Sequence, residues 1–111
     1  MTETVPLDLM IKLEENLTKN SLWIYILKLL DEKPMHAYAI DEAIRKKFGF
    51  SVAKITPYVH LYKLERCGLV KSKERRIHNR PVKVYELTKE GEKILQESLK
   101  VFKKVADMLA K

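Results

Sequence analysis

Nine cations fall between residues 53 and 83: Lys54, Lys63, Arg66, Lys71, Lys73, Arg75, Arg76, Arg80 and Lys83, opposed only by Glu65 and Glu74. The whole chain has a formal net charge of +7, so this window carries the entire excess and the flanking segments balance. A local cationic patch on an otherwise neutral chain is the footprint of a polyanion-binding surface; a solvated basic face is the plain alternative. The residues between the cations add discrimination. Thr56, His60 and Lys63 can donate or accept hydrogen bonds at base edges, and Val59 offers an apolar surface to a thymine methyl. Lys54, Arg66, Arg75, Arg76, Arg80 and Lys83 suit phosphates. Tyr58 has two readings, a hydroxyl bonded to a phosphate or a ring packed at the edge of the core, and Tyr62 shares them.

Other chemistries find less support. Cys67 is the only cysteine, which removes an intrachain disulfide and any cysteine metal cluster. A redox-sensing role for Cys67 competes with an inert position at a helix end. His36, His60 and His78 lack the spacing of metal ligands, so neither a metal nor another cofactor is expected. His36 reads as a hydrogen-bonding residue at a helix start. No phosphate-cradling glycine loop, nucleophile elbow or HExxH motif is present, and the chain is not expected to be an enzyme. No apolar run reaches the ~20 residues of a membrane span, and Met1–Leu7 lacks the form of a signal peptide. The expected location is the cytoplasm.

The elements that must position these residues follow from periodicity. Leu7, Met10, Leu13 and Leu17 mark a short amphipathic helix behind Pro6. Asn20 or Ser21 caps a second helix whose Leu22, Trp23, Ile26, Leu27, Leu29 and Leu30 cover a wide apolar face, ended before Pro34. A third helix runs from Met35 or His36 to Phe48, with Ala37, Ile40 and Ala43 or Ile44 inward and Gly49 at its left-handed end. Thr56-Pro57 opens a fourth helix, starting there or a turn earlier near Lys54, and Gly68 follows its end at Cys67. At 100° per residue Pro57, Tyr58, Leu61, Leu64 and Glu65 share one side; Thr56, Val59, His60, Lys63 and Arg66 lie toward the other. Two extended runs, 69–74 and 82–87, flank a loop from Arg75 to Pro81 and read as a hairpin with three arginines and a histidine at its tip. Tyr85 and Leu87 share its inward face. Thr88 caps a last helix in which Leu95, Leu99, Phe102, Ala106 and Leu109 follow a 4-3-4-3 spacing, widened by Ile94, Val101, Val105 and Met108. A second chain or the N-terminal helix must cover that stripe.

The expected fold is mainly α with a small antiparallel β hairpin, a winged helix-turn-helix flanked by N- and C-terminal helices. Residues 1–87 form the DNA-binding unit and 88–111 the dimerisation helix of one compact body.

Three motifs in order carry a resemblance over roughly residues 22–95 to the PadR-like family of winged-helix transcription regulators. His36-Ala37-Tyr38-Ala39-Ile40 is similar to that family's His-Gly-Tyr-Glu-Ile. Ile55-Thr56-Pro57-Tyr58-Val59, with Leu61 and Leu64-Glu65-Arg66-Cys67-Gly68-Leu69-Val70, resembles Gly-Thr-Leu-Tyr-Pro followed by Leu-Glu-x-x-Gly-Leu-Ile. Tyr85-Glu86-Leu87-Thr88-Lys89-Glu90-Gly91 matches Tyr-x-Leu-Thr-x-x-Gly. Ala37 and Ile55 stand where the motifs have glycine, and the proline precedes Tyr58 instead of following it. The resemblance implies a homodimer joined through its terminal helices, with Val105 beside the seam residues named above. Each protomer then offers a recognition helix and a wing to half of a pseudo-palindromic operator in double-stranded DNA. It implies repression, released in some members by a small aromatic or drug-like effector; Trp23 would line such a pocket, or else simply belong to the core. Coating of DNA without sequence preference, and docking of an acidic protein partner, use the same basic face.

Overall fold

A computed structural model describes residues 4–111 of the chain. Helix α1 (Thr4–Leu17) leads through a 3₁₀ turn (Lys19–Ser21) to α2 (Leu22–Glu32); strand β1 (Met35–His36) precedes α3 (Ala37–Phe48) and α4 (Thr56–Arg66); β2 (Val70–Ile77) and β3 (Arg80–Leu87) form a hairpin, and α5 (Lys89–Ala110) ends the chain. Part of the stretch Met1–Leu7, read as no signal peptide, lies outside the described residues.

The core is the meeting of α2, α3 and α4 under the base of the hairpin. Leu22, Ile26, Leu27, Leu29 and Leu30 of α2 are buried, with Ile40 and Ile44 of α3, Leu61 and Leu64 of α4, Val70, Tyr85 and Leu95. A helix apolar over so wide an arc is stable only when covered on several sides, and α2 is. Trp23 stands at the margin of this core, half-buried.

The sheet has one strand more than the hairpin expected from sequence. Met35 and His36 pair antiparallel with Tyr85 and Val84, giving the order β1-β3-β2. Two residues before a helix carry too little periodicity to announce a strand, so α3 begins at Ala37 and not at Met35. The hairpin itself is longer than expected. Its strands pair without interruption from Val70↔Leu87 to Ile77↔Arg80. The connection is the two residues His78 and Asn79, both at positive φ (53° and 65°), as a type I′ turn requires. Arg75, Arg76 and Arg80 therefore sit on strands and not in a loop.

The chain converges on one junction. Gly68 adopts φ +77°, and the N–H groups of Gly68 and Leu69 donate to the carbonyls of Glu65 (3.0 Å) and Leu64 (2.9 Å), a Schellman ending of α4. Thr88, at the far end of the hairpin, donates from its N–H to the Leu69 carbonyl (3.2 Å) and from Oγ1 to the Gly68 carbonyl (2.7 Å). The same Oγ1 accepts from the Gly91 N–H (3.0 Å) and so caps α5. Gly91 packs onto this knot; a Cβ there would collide with the Leu69 carbonyl oxygen and lie 2.6 Å from Leu87 Cδ1.

Both ends of the chain leave apolar surface uncovered. On α1, Leu7, Leu9, Met10, Ile11, Leu13 and Leu17 are all exposed; the helix is held by its neighbours in sequence, including the Tyr25 hydroxyl donating to the Leu17 carbonyl (2.6 Å). It starts at Thr4, so Pro6 falls within its first turn, where a missing N–H costs nothing. On α5, Leu99, Val101, Val105, Met108 and Leu109 are exposed, as is Ala106, while Phe102 is half-buried. Leu95 departs from the expected seam: at 1% exposure it belongs to the chain's own core. Helix α5 packs on α2 with Gly91 and Leu95 as its buried residues, so the 4-3-4-3 stripe is split, its beginning covered within the chain and its remainder, apart from half-buried Phe102, open.

We expect Gly91→Ala to cost about 3 kcal/mol, the upper end for overpacking a site whose neighbours are tied, which lowers the melting temperature on the order of 10 °C or more. Gly68→Ala meets open space and should cost only the left-handed backbone strain of about 1 kcal/mol. Thermal melts followed by circular dichroism test this order, and the reverse order would show that the junction yields.

Candidate nucleic-acid interface

The rotation of α4 about its own axis decides which side chains reach solvent. Pro57, Leu61 and Leu64 are its buried residues, and half-buried Glu65 accepts a hydrogen bond from Ser72 Oγ on β2 (2.7 Å). The opposite arc, Ile55, Tyr58, Val59, Tyr62, Lys63 and Arg66, is exposed, whereas Thr56 and His60 are half-buried on one flank. This corrects the sequence-derived wheel at three positions. Tyr58, grouped there with the buried side, is 46% exposed, and Thr56 and His60, grouped with the outward side, lie at its margin. A wheel gives relative angles only; the core has turned the helix toward burying Pro57 at its centre.

Thr56 also does not cap the helix. Ile55 holds the N-cap position in a helical conformation with no side-chain cap, because residues 53–55 already turn: the Thr56 N–H donates to the Ala53 carbonyl (2.9 Å) and the Tyr58 N–H to the Ile55 carbonyl (3.1 Å). Pro57 at the second helical position has no N–H to satisfy. Similarly, Ser21 precedes α2 without a side-chain cap, its hydroxyl donating back to the Asn16 carbonyl (2.9 Å).

Lys54 and Tyr58 share a groove of about 340 Å³ with Tyr38, Asp41, Glu42 and Arg45 of α3. Each of its two carboxylates is already matched on α3, Asp41 by Arg45 (3.1 Å) and Glu42 by Lys46 (3.5 Å). Tyr38 is exposed and stacks on His36 with ring centroids 3.9 Å apart.

The hairpin sorts its cations by strand alternation. Lys71 and Lys73 both meet Glu86, at 3.3 and 3.6 Å. Arg75 and Arg80 continue on that face toward the tip. Arg76 and Lys83 lie on the other face, the one that at its base carries Ser72 and Tyr85. Arg76 Nη2 donates to the Asn79 carbonyl (2.9 Å) and ties the turn. Among the described residues Lys54, Lys63, Arg66, Arg75, Arg76, Arg80 and Lys83 have no carboxylate within ion-pair distance. The tip beyond Ser72 and Tyr85 has no core beneath it and advances about 15 Å at the strand rise of ~3.3 Å per residue. The fourth helix and the wing are thus brought together at their bases, while the wing's arginines are divided between two faces.

Sequence reasoning passed over Ile55 and Tyr62 as outward residues. The signal was available: Ile55, Val59, Tyr62 and Arg66 recur at 4-3-4, a second stripe beside Pro57, Leu61 and Leu64. Only one stripe of so short a helix can face the core. Cys67 is exposed. Trp23 lines a groove of about 300 Å³ with Ser21, Ile24, Ser98, Val101 and Phe102, between α2 and α5. No group of three His, Cys, Asp or Glu that could hold a metal occurs among the described residues, and no helix there is long and apolar enough to cross a membrane.

Comparison with known proteins places this geometry. The model of the family described as "Transcriptional regulator PadR-like family" matches residues 26–97. A PadR-family transcriptional regulator from Eggerthella lenta has the same fold at TM-score 0.81, with 24% identity over 96% of this chain and 94% of that one. A transcriptional regulator from Clostridium thermocellum gives a TM-score of 0.70 and 27% identity over 86% and 99%. Bacillus subtilis PadR, solved in complex with operator DNA, gives 0.66 and 26%, covering 70% of this chain and 46% of that one. Among curated proteins no match is found.

His60 generates a pH prediction. Burial, and secondarily the Lys63 ammonium, hold its imidazole below the ordinary value of 6.5. The unfolded chain therefore takes up a proton first on acidification. The stability that neutral His60 contributes is complete above about pH 6.5 and is lost as the pH falls through that value toward the folded one. Glu32 and Glu86 are held low by hydrogen bonds from Lys47 and Lys71, so their losses begin as the pH falls into the ordinary carboxylate range, below the window in which His60 acts. Urea midpoints should fall between pH 7.5 and 5.5, and His60→Gln should flatten that slope; an unchanged slope in the variant would assign the effect elsewhere.

Proposed function

Because the chain belongs to the PadR-like family of transcriptional regulators, we propose that it acts as a homodimer on double-stranded DNA, recognising a pseudo-palindromic operator and repressing the genes beside it. The family is one of regulators, not of enzymes. The observation that carries the DNA reading is the clustering of seven cations that have no carboxylate partner among the described residues, Lys54 just ahead of α4 and the others on its outward arc and on the hairpin, two elements joined through Gly68 and the Ser72–Glu65 bond. In this reading α4 enters the major groove, about 12 Å wide, and the hairpin follows the backbone toward the adjoining minor groove, whose negative potential attracts arginine. Lys63, Val59 and Tyr58 face bases or the nearest phosphates, with Thr56 and His60 reaching in from the flank. Lys54, Arg66, Arg75, Arg76, Arg80 and Lys83 hold phosphates.

The dimer reading rests on surface that the chain leaves bare. The open apolar side chains of α1 and the distal half of α5 form exposed area of the kind that marks an interface, and residues 88–111, through Leu99, Phe102, Val105, Ala106 and Leu109, are its main element. A two-fold dimer sets half-site centres about one helical turn, ~34–36 Å, apart. The groove beside Trp23 adjoins Val101 and Phe102 of α5, which supports a small aromatic effector seated where the dimer closes. The place of action is the cytoplasm.

Two measurements test the proposal. Selection from random duplexes should return a two-fold motif. On that motif Lys63→Ala should weaken specific binding more than non-specific binding, while Arg80→Ala weakens both and lowers the salt slope by about 1. Equal affinity for every duplex would identify a DNA-coating protein, and no affinity at low salt a protein-docking module. In sedimentation equilibrium the wild type should be a dimer. Val105→Glu should shift it to monomer with its helical circular dichroism retained and a lower melting temperature that no longer depends on protein concentration, and should abolish cooperative occupancy of the two half-sites; a dimeric variant would move the interface away from α5.

A further inference from the structure

The outward centre of α4 is apolar, and none of the described residues covers it. Ile55 is 67% exposed and Val59 45%. The two lie one turn apart, joined by a backbone hydrogen bond from the Val59 N–H to the Ile55 carbonyl (3.3 Å). Neither helix propensity nor packing accounts for them, since β-branched residues are indifferent helix formers and both point away from the core. Their stiffness is informative: a β-branched side chain on a helix has little freedom at χ1. The methyl groups are therefore presented as a fixed surface that loses little entropy on contact.

The frame around this strip identifies what fits it. Lys54, Lys63 and Arg66 flank it with no carboxylate partner among the described residues, the Arg66 guanidinium lying 5.7 Å from the Tyr62 ring centroid. The carboxylate of Glu65 turns away to Ser72. An apolar strip bordered by cations complements a surface that is anionic along its edges and carries methyl groups on its floor, as a major groove containing thymine does. A second copy of this chain would bring its own cations against the same border and is repelled from it.

We propose that Ile55 and Val59 are specificity-determining residues that read thymine 5-methyl groups, two per half-site. Four residues of helix advance about 6 Å, close to two base-pair steps at ~3.4 Å each, so the two thymines fall within about two steps of one another. The positions are those where the related recognition motif has glycine and proline, so the preference separates this chain from proteins that keep that motif. The inference rests on the DNA reading above.

The test uses the full-length protein and the duplex obtained by selection, with deoxyuridine, which lacks only the 5-methyl group, replacing thymidine one position at a time. Two positions per half-site should each weaken wild-type binding about fourfold, the loss expected for one methyl-sized apolar group left unburied. Val59→Ala should remove the penalty at one of them and Ile55→Ala at the other. Both residues are exposed, so unchanged melting temperatures will show that the variants fold. A selected site that binds equally well with uridine throughout, or a uridine penalty that persists in both variants, overturns this inference and leaves the DNA reading standing. Failure to select any site overturns both.

Discussion

The rest of the molecule depends on the knot at Gly68 and Leu69. There the end of α4, both ends of the hairpin and the start of α5 are tied within a few residues, through the Schellman bonds of α4 and the four hydrogen bonds of Thr88, whose carbonyl also accepts from the Glu92 N–H (2.9 Å). A shift of any one of these four segments breaks hydrogen bonds to the others. Gly91 shows how close the approach is, since no side chain fits between α5 and the Leu69 carbonyl. A hairpin of eight-residue strands with a largely coreless tip would otherwise pivot freely; the knot, with the Ser72–Glu65 bond, gives it a fixed base beside α4.

That anchoring converts a charge excess into a surface. A cationic window in a sequence attracts any polyanion; cations set on a seated helix and a seated ribbon address one geometry. The exposed arc of α4 is also less polar than a list of its charges suggests, with Ile55, Val59 and Tyr62 along its centre and Lys63 and Arg66 beside them. Neutral His60 at the flank adds no charge near Lys63, and its cost of protonation couples the surface to pH. Exposed ion pairs elsewhere, such as Lys46 with Glu42, contribute little to stability.

The termini follow a different logic. α1 and the distal half of α5 hold much of the exposed aliphatic surface, while the α2–α3–α4 body closes over its own core. A short chain cannot both seal a core and cover two long amphipathic helices with itself, so stability of the body and association between bodies reside in different segments. Leu95 marks the boundary between them: it is on the helix of the second kind but in the core of the first.

What the sequence by itself determined was the succession of elements, the confinement of charge to residues 53–83 and the inward residues of α2 and α3, because these follow from periodicity, composition and local termini such as Gly49 and Gly68. The tertiary structure alone decided the rotation of α4, the third strand at Met35–His36, the two-residue turn at His78–Asn79 and the division of the α5 stripe. The physical reason is common to these four. Spacing specifies which residues share a face, but not which of two apolar faces meets the core, and a charged run such as 71–76 hides the alternation of a strand. A two-residue strand exists only when a partner such as β3 is already in place. Those choices are made by contacts between segments distant in sequence, which local pattern does not encode.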